Sequence, residues 1–575
     1  MNASLSLRPF PFTWKQFERY WYIFSLCIII IALPYSKVGL SIGQMMMAGG
    51  WIVERFDYKR WVEKMRGWTI PQRMLQLFPL SFGLLFRGIF GGFREFGRRR
   101  AAILFSSILL MHVLGLIFTT DFGYAFKDLR TKLPLFLLPL FLSTSKAFDR
   151  TAFYRFLALF VLAVTVRSVF NAWMIATHTY PDIREVSHNI SHIIFSLQLS
   201  ISLYILLFFL LKRGILALWQ RIALLPVLLW LVAYILLSHS FTGLAISVLT
   251  LLILVPILIF RTRKHWLKVA LSAMILIIGS WVFFTIRSVV KEYYHVNPVD
   301  LSHLEKFTSR GNPYIHNPYS NQTENGNYVW IYVNWDEMRA AWNARSRMPF
   351  DSVGKKKETV AFTVVRYLSS KGWRKDADAV ERLSPKEVTA IENGVANCIF
   401  LEKFSIRGRL YEFIWGFDQY RKTGDPTGST TMQRVEFWKA SLGIIRDYWL
   451  TGVGTGDMNL AFAAQYEKMH TQLPPEQRWR SHNQFLSILV GFGVLGFAWF
   501  LLAFFYPPAI LGRYDDWFFL VFMIISVLSM LTGDTIESQT GVSFVAFFYS
   551  LLLFARREKD PLNIVSPISL PDGNR

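Results

Sequence analysis

Long apolar runs alternate with short basic connections along most of this chain, and the rhythm breaks once, in a polar stretch from residue 291 to 484. Crossing a hydrocarbon core of about 30 Å takes roughly 20 helical residues. Twelve segments are long enough, or nearly so: 19–33, 37–53, 101–119, 132–145, 152–177, 192–211, 222–238, 243–260, 269–289, 485–508, 517–531 and 541–555, the fourth and the last two being short. The pattern predicts an all-α polytopic membrane protein of about twelve transmembrane helices. The first run has no small-residue cleavage site and a second follows closely, so it reads as a retained helix.

The polar stretch, between spans 9 and 10, is long enough to be a small mixed α/β segment. YVWIYV (328–333) reads as a strand, and 384–397 as a helix entered at Ser384-Pro385 and stopped near Gly394. Its aromatic residues, including Tyr314, Tyr319, Trp330 and Trp342, suit sugar rings, but a module of this size needs most of them for its own core. The expected organisation is spans 1–9 over 1–290, the outer segment over 291–484 with an amphipathic helix at 431–450, spans 10–12 over 485–555, and a tail over 556–575.

Composition agrees: 53% of residues are hydrophobic and only 18% charged, against about 25% charged in ordinary soluble domains. The formal charge of +23 would suit nucleic acid if it were concentrated in one place. Instead, residues 291–484 hold 26 Lys and Arg against 22 Asp and Glu, leaving 36 basic and 17 acidic residues for the membrane-rich remainder. Basic excess in short loops is the positive-inside signature, not a nucleic-acid footprint. With the N-terminus cytoplasmic, Arg98 to Arg100, Lys212/Arg213, Arg261/Arg263/Lys264 and Arg556/Arg557 fall inside and 291–484 falls outside, in the periplasm of a bacterium. LFPLSFGLLFRGIFGGF (77–93), with basic flanks and several Gly and Pro, reads as an interfacial helix. Cys27 and Cys398 form neither a plausible disulfide nor part of a metal cluster.

Two stretches carry candidate chemistry. In GSTTMQRVEFWKASLGIIRDYWLTGVGTG, Val435, Trp438, Leu442, Ile445 and Trp449 recur at helical steps, and Thr430 with Gln433 reads as a capping box. This puts Arg434 in the first turn, where a cation suits an anion such as phosphate held between it and the free N–H groups; solvent or a nearby carboxylate is the plainer alternative. In RWRSHNQFLSILVGFGVLGFAWF, Ser481 and Gln484 read as a second capping box, so that His482 opens the tenth span. The helix end and the charges of Arg478 and Arg480 would lower its pKa, leaving a neutral imidazole able to accept a proton from a hydroxyl; a plain interfacial or capping histidine is the alternative.

Other features weigh less. GVGTGDMN has the glycines of a phosphate loop without its GK[ST] ending, and reads as a turn. His188 and His192 lack a convincing third ligand, so no metal and no cofactor is expected. Arg167 and His112 are the main polar intrusions in the spans, and no carboxylate lies near the middle of one, which argues against ion-coupled transport. Asp534 and Glu537, in the outer connection before the last span, are the best-placed carboxylates for an outward-facing site.

Arg434, Trp438, the GVGTG turn, His482-Asn483 and the VGFGVLGF run together resemble the signature of the O-antigen ligase and O-antigen polymerase superfamily, bacterial inner-membrane enzymes with many spans and one large outer loop. The specific part covers about 430 to 500. The resemblance implies an enzyme: a metal-independent, inverting glycosyltransferase moving a glycan from undecaprenyl diphosphate to a hydroxyl, on lipid A core for a ligase or on a growing chain for a polymerase. It also implies His482 as catalytic base and Arg434 as diphosphate ligand. Ligases of this family often carry a further Arg at the outer end of a middle span, and LLSHSFTGLAI (236–246) has none. Arg130, Arg480 or His239 is then expected to supply the second positive charge, with Glu537 in support. The expected partners are the lipid-linked donor, a glycan or lipid A core acceptor and membrane lipids, without nucleic acid. A polysaccharide or lipid exporter is the alternative of a different class.

Overall fold

The computed structural model describes residues 14–557 apart from 67–69, 179–185, 188, 239, 262–264, 355–357 and 402–404, so His188, His239 and most of the expected tail lie outside the described residues. Two compact units divide the chain, Met1–Leu271 with Arg434–Arg575, and Ser272–Gln433.

Each of the twelve apolar segments falls on a helix, with ends shifted by a few residues. The chain runs through α1 (Trp14–Ala32), α2 (Lys37–Glu54), α3 (Tyr58–Arg66), α4 (Ile70–Phe96), α5 (Arg100–Leu114, prolonged by a 3-10 turn to Phe118) and α6 (Phe122–Lys132). It continues through α7 (Pro134–Thr144), α8 (Arg150–Thr177), α9 (His192–Leu211), α10 (Leu218–Leu237), α11 (Phe241–Arg261) and α12 (His265–Tyr294). The segment at 77–93 is the middle of the single helix α4. Among the described residues, seven helices are long and apolar enough to cross a membrane, and Trp517–Thr532 and Gln539–Phe554 are shorter apolar helices. These features make a mainly helical, multi-pass membrane protein.

The unit Ser272–Gln433 departs from the mixed α/β expectation. Its strands are β1 (Thr323–Glu324) and β2 (Asn327–Tyr328), two residues each, paired antiparallel around a turn with positive φ at Asn325 and Gly326. YVWIYV does not continue as a strand past Tyr328: Tyr332 takes φ +55, which breaks the extended run, and Val333 makes isolated bridges to Ile315 and Lys375. Its helices are α13 (Trp335–Arg345), α14 (Val360–Ser370), α15 (Ala377–Glu381), α16 (Pro385–Glu392) and α17 (Ile406–Thr423), joined by turns and isolated bridges. The helix expected after Ser384 forms as read, with a Ser384/Glu387 capping box and Gly394 at φ +80 just past its end. Trp342, Tyr367 and Phe350 are fully buried in this unit's core, so these aromatic residues are structural, whereas Tyr319 is 93% exposed.

The chain returns to the first unit through α18 (Thr430–Asp447) and continues with α19 (Met458–Lys468), α20 (Gln484–Ile510), α21 (Trp517–Thr532) and α22 (Gln539–Phe554). In α18 the apolar stripe read from sequence is not the buried one. Phe437, Ala440, Ser441 and Ile444 face inward on Phe462, Tyr466, Leu473 and Val490, while Trp438, Leu442 and Trp449 are exposed. The exposed Trp438, Leu442 and Trp449 are as apolar as the residues packed inward, so hydrophobicity alone does not say which side packs.

Candidate functional site

The site forms where α18, the connection 478–483, the start of α20, the connection 533–538 and α6 meet. The GVGTG turn sets the first contact. Gly452 and Gly454 take φ +70 and +86, and α20 is broken at Gly493, φ +60. Across the break, Val453 N–H donates to Val490 O (3.0 Å), Gly454 N–H to Gly491 O (2.8 Å) and Val494 N–H to Trp449 O (2.8 Å). A Cβ on Gly452 would lie 2.3 Å from the carbonyl carbon of Gly491, so only glycine permits this approach. Thr455 then donates to His112 O, and the Asp457 carboxylate accepts from the backbone N–H groups of Thr120 and Asp121, which ties the turn to the start of α6. The turn is a packing device, as the missing GK[ST] ending implied.

The cap positions differ from those read in sequence. Ser429 precedes α18 and accepts from Met432 N–H, while Gln433 donates to Thr427 O. Arg434 is therefore the fifth residue of the helix, a turn past the free N–H groups, and the helix end is not its anion partner. At α20 the cap is Asn483, whose side chain accepts from Phe485 and Leu486 N–H. Ser481 bonds Ser487 instead (2.6 Å), and Gln484 reaches the 533–538 connection through Glu537 (3.0 Å) and Ile536 N–H (2.9 Å). His482 sits just before the cap with φ +46, a left-handed conformation uncommon for a side chain of this size.

Arg434 and His482 face one another electrostatically, with Asp534 as the third member. Phe437, on the next turn of α18, has its ring 5.6 Å from the His482 imidazole, and Trp438 Nε1 donates to Ser481 O (3.0 Å). Arg434 and His482 are both half-buried, and among the described residues neither makes a hydrogen bond or an ion pair. Burial, then the Arg434 charge, pushes the His482 pKa below its ordinary value against the opposing pull of Asp534. The direction is the one expected, but the cause is not Arg478 or Arg480, which have partners elsewhere. Burial raises Asp534, which accepts from Ser487 Oγ at 2.7 Å.

Behind this trio lies a charge network that the sequence does not display. Glu537 bridges Lys132 (2.9 Å) and Arg480 (3.6 Å), and Lys132 also holds Asp128 (2.5 Å). Arg480 further contacts the Tyr124 hydroxyl and Asn459 Oδ1 (2.8 Å). Burial raises the Glu537 carboxyl, but Lys132 and Arg480 outweigh it and hold the pKa down to about 2. Tyr124, Asp128 and Lys132 escaped the sequence reading; the i, i+4 pair Asp128/Lys132 abutting an apolar run was the available signal. Arg130 is exposed and does not join them, since two residues from Asp128 and from Lys132 is about 200° around a helix.

Residues 388–501 match the family model described as O-antigen ligase. The match supports the O-antigen ligase and polymerase superfamily. It takes in Arg434, Trp438, the GVGTG turn and His482, and leaves Tyr124, Asp128, Lys132, Asp534 and Glu537 outside it. Members of this family are ligases or polymerases, and the family implies lipid-linked glycan substrates in general. No curated protein matches the chain.

Proposed function

We propose that this protein transfers a glycan from a polyprenyl diphosphate carrier, undecaprenyl diphosphate in a bacterium, to a hydroxyl acceptor at the periplasmic face of the inner membrane, as an O-antigen ligase-like enzyme. The observation that carries this reading is Arg434, a half-buried guanidinium without a hydrogen bond or ion pair among the described residues, facing an imidazole of lowered pKa. A half-buried cation without a hydrogen bond or ion pair is suited to an anionic ligand, and a neutral imidazole is suited to accept a proton.

In the reaction, His482 takes the acceptor's O–H proton as the oxygen attacks the anomeric carbon from the side opposite the diphosphate. The anomeric C–O bond to the diphosphate breaks, and Arg434 balances the charge that appears on the leaving group. Direct displacement inverts the anomeric centre and uses neither metal nor nucleotide. The Asp534 carboxylate, through its charge, favours the protonated form of His482. Arg480, already matched by Glu537 and Tyr124, holds the connection that carries His482 rather than binding diphosphate itself.

Purified protein given a lipid-linked glycan tests the assignment. His482→Ala is expected to cut turnover by about 10²–10⁴, the usual range for a positioned base, and Arg434→Ala to weaken donor binding. Near-normal turnover in the first, or unchanged donor affinity in the second, rejects the corresponding role.

A further inference from the structure

At the other end of the bundle from His482, a cavity of about 640 Å³ opens between the start of α8, the end of α9 and the start of α10. Its place is fixed by α21. Asp534 lies two residues past the end of that helix, whereas Asp516, which caps its start, pairs with Arg556 (2.7 Å), whose guanidinium lies over the ring of Phe153 in α8. Sixteen helical residues, about 24 Å, separate the two ends.

The walls are apolar and come from one stripe per helix: Ala158, Val161 and Leu162 on α8, Phe209 on α9, and Leu224 and Val227 on α10. The mouth is basic. Arg150 and Arg155 line it, and Lys212 and Arg213 follow the end of α9 directly. Arg150 and Lys212 have interactions within the protein, whereas Arg155 is exposed with no hydrogen bond or ion pair among the described residues. The volume lies in the range of about 300–1,000 Å³ usual for ligand-sized cavities. A water-soluble anion would leave the apolar walls uncovered, and a neutral acyl chain would leave the cations unmatched.

We propose that this cavity binds an anionic phospholipid, with the headgroup phosphate at Arg155 beside Arg150 and an acyl chain along the α8 and α10 stripes. Basic pockets between membrane helices hold acidic headgroups in this way, each engaged cation contributing about 1 kcal/mol. The site is separate from the glycan-transfer site and does not depend on that reading.

The test uses the full-length protein in detergent, with lipid retention followed by native mass spectrometry. Phosphatidylglycerol is expected to be retained over phosphatidylethanolamine by about fivefold per cation engaged. Arg155→Glu should abolish that preference, and Ala158→Trp, which fills the cavity, should lower retention of both lipids. Inorganic phosphate at millimolar concentration should displace neither. Equal retention of the two lipids by the native protein, an unchanged preference in Arg155→Glu, unchanged retention in Ala158→Trp, or displacement by phosphate alone would each overturn the proposal. Arg155 is exposed, so its variant keeps the fold, and Arg155→Lys should retain the preference.

Discussion

Trp438 Nε1 donates to the backbone carbonyl of Ser481 at 3.0 Å, so one indole joins the helix that carries Arg434 to the connection that carries His482. The two groups assigned to donor and acceptor are 48 residues apart in sequence, and this bond fixes the distance between their supports.

Trp438→Phe removes the donor and keeps an aromatic ring on the helix. The net value of such a bond is about 1 kcal/mol, so a fall of up to about fivefold in kcat/KM is expected, with a loss of folding stability no larger than that. A steady-state comparison on lipid-linked donor checks this, and unimpaired activity would show that the contact does not position the site.

The pH profile follows from the environment of His482. A base must be unprotonated, so activity is lost as pH falls through its pKa. Because burial and Arg434 lower that pKa, the acid limb of kcat/KM is expected below the ordinary histidine value of about 6.5. Asp534 opposes the shift, so Asp534→Asn should move the limb to still lower pH, whereas Arg434→Lys, which keeps the charge, should leave it in place. The limb reports the histidine and aspartate together, since the charge of each acts on the other. Movement to higher pH in Asp534→Asn would contradict the arrangement.

Apolar length was enough to find the helices, because a run of about twenty nonpolar residues has few other solutions. The caps were harder. Ser429 and Thr430 share the same capping chemistry, as do Ser481 and Asn483, and only the backbone decides which residue turns extended. The inverted face of α18 has a different cause, since Leu442 and Trp449 are as apolar as the residues packed inward. Arg434 and His482 were visible because each is an odd residue in its local pattern. The network around Glu537 was not, because Lys132 and Glu537 lie 405 residues apart and nothing in the local pattern of either names the other as its partner.

That network carries its own prediction. Lys132 is 1% exposed and Glu537 13%, and the carboxylate is what balances both Lys132 and Arg480. Glu537→Gln keeps the shape and removes the charge, leaving two basic groups against Asp128 alone. Breaking a buried pair in this way costs about 3–5 kcal/mol, so the melting temperature should drop clearly in a detergent thermal scan. The double variant Glu537→Gln/Lys132→Met should recover much of the loss, since it removes the stranded cation as well.

The break in α20 makes the sharpest stability prediction. Gly493 has φ +60 and ψ −165, and an added Cβ would stand 2.3 Å from the carbonyl of Leu450. Gly493→Ala therefore combines a strained backbone, about 1–3 kcal/mol, with a clash against main-chain atoms that no side-chain rotation relieves. The turn at 449–454 must then lift off α20, and with it the end of α18, so transfer activity and folding yield should fall together. Gly49→Ala is the matched control: it lies inside α2, where nothing stands within 4 Å of the added carbon. There the substitution should be neutral or stabilise by about 0.5–1 kcal/mol, because a helix interior gains from a residue with less freedom to lose. Equal melting temperatures for the two variants would mean that the left-handed break at Gly493 is not needed to seat the turn.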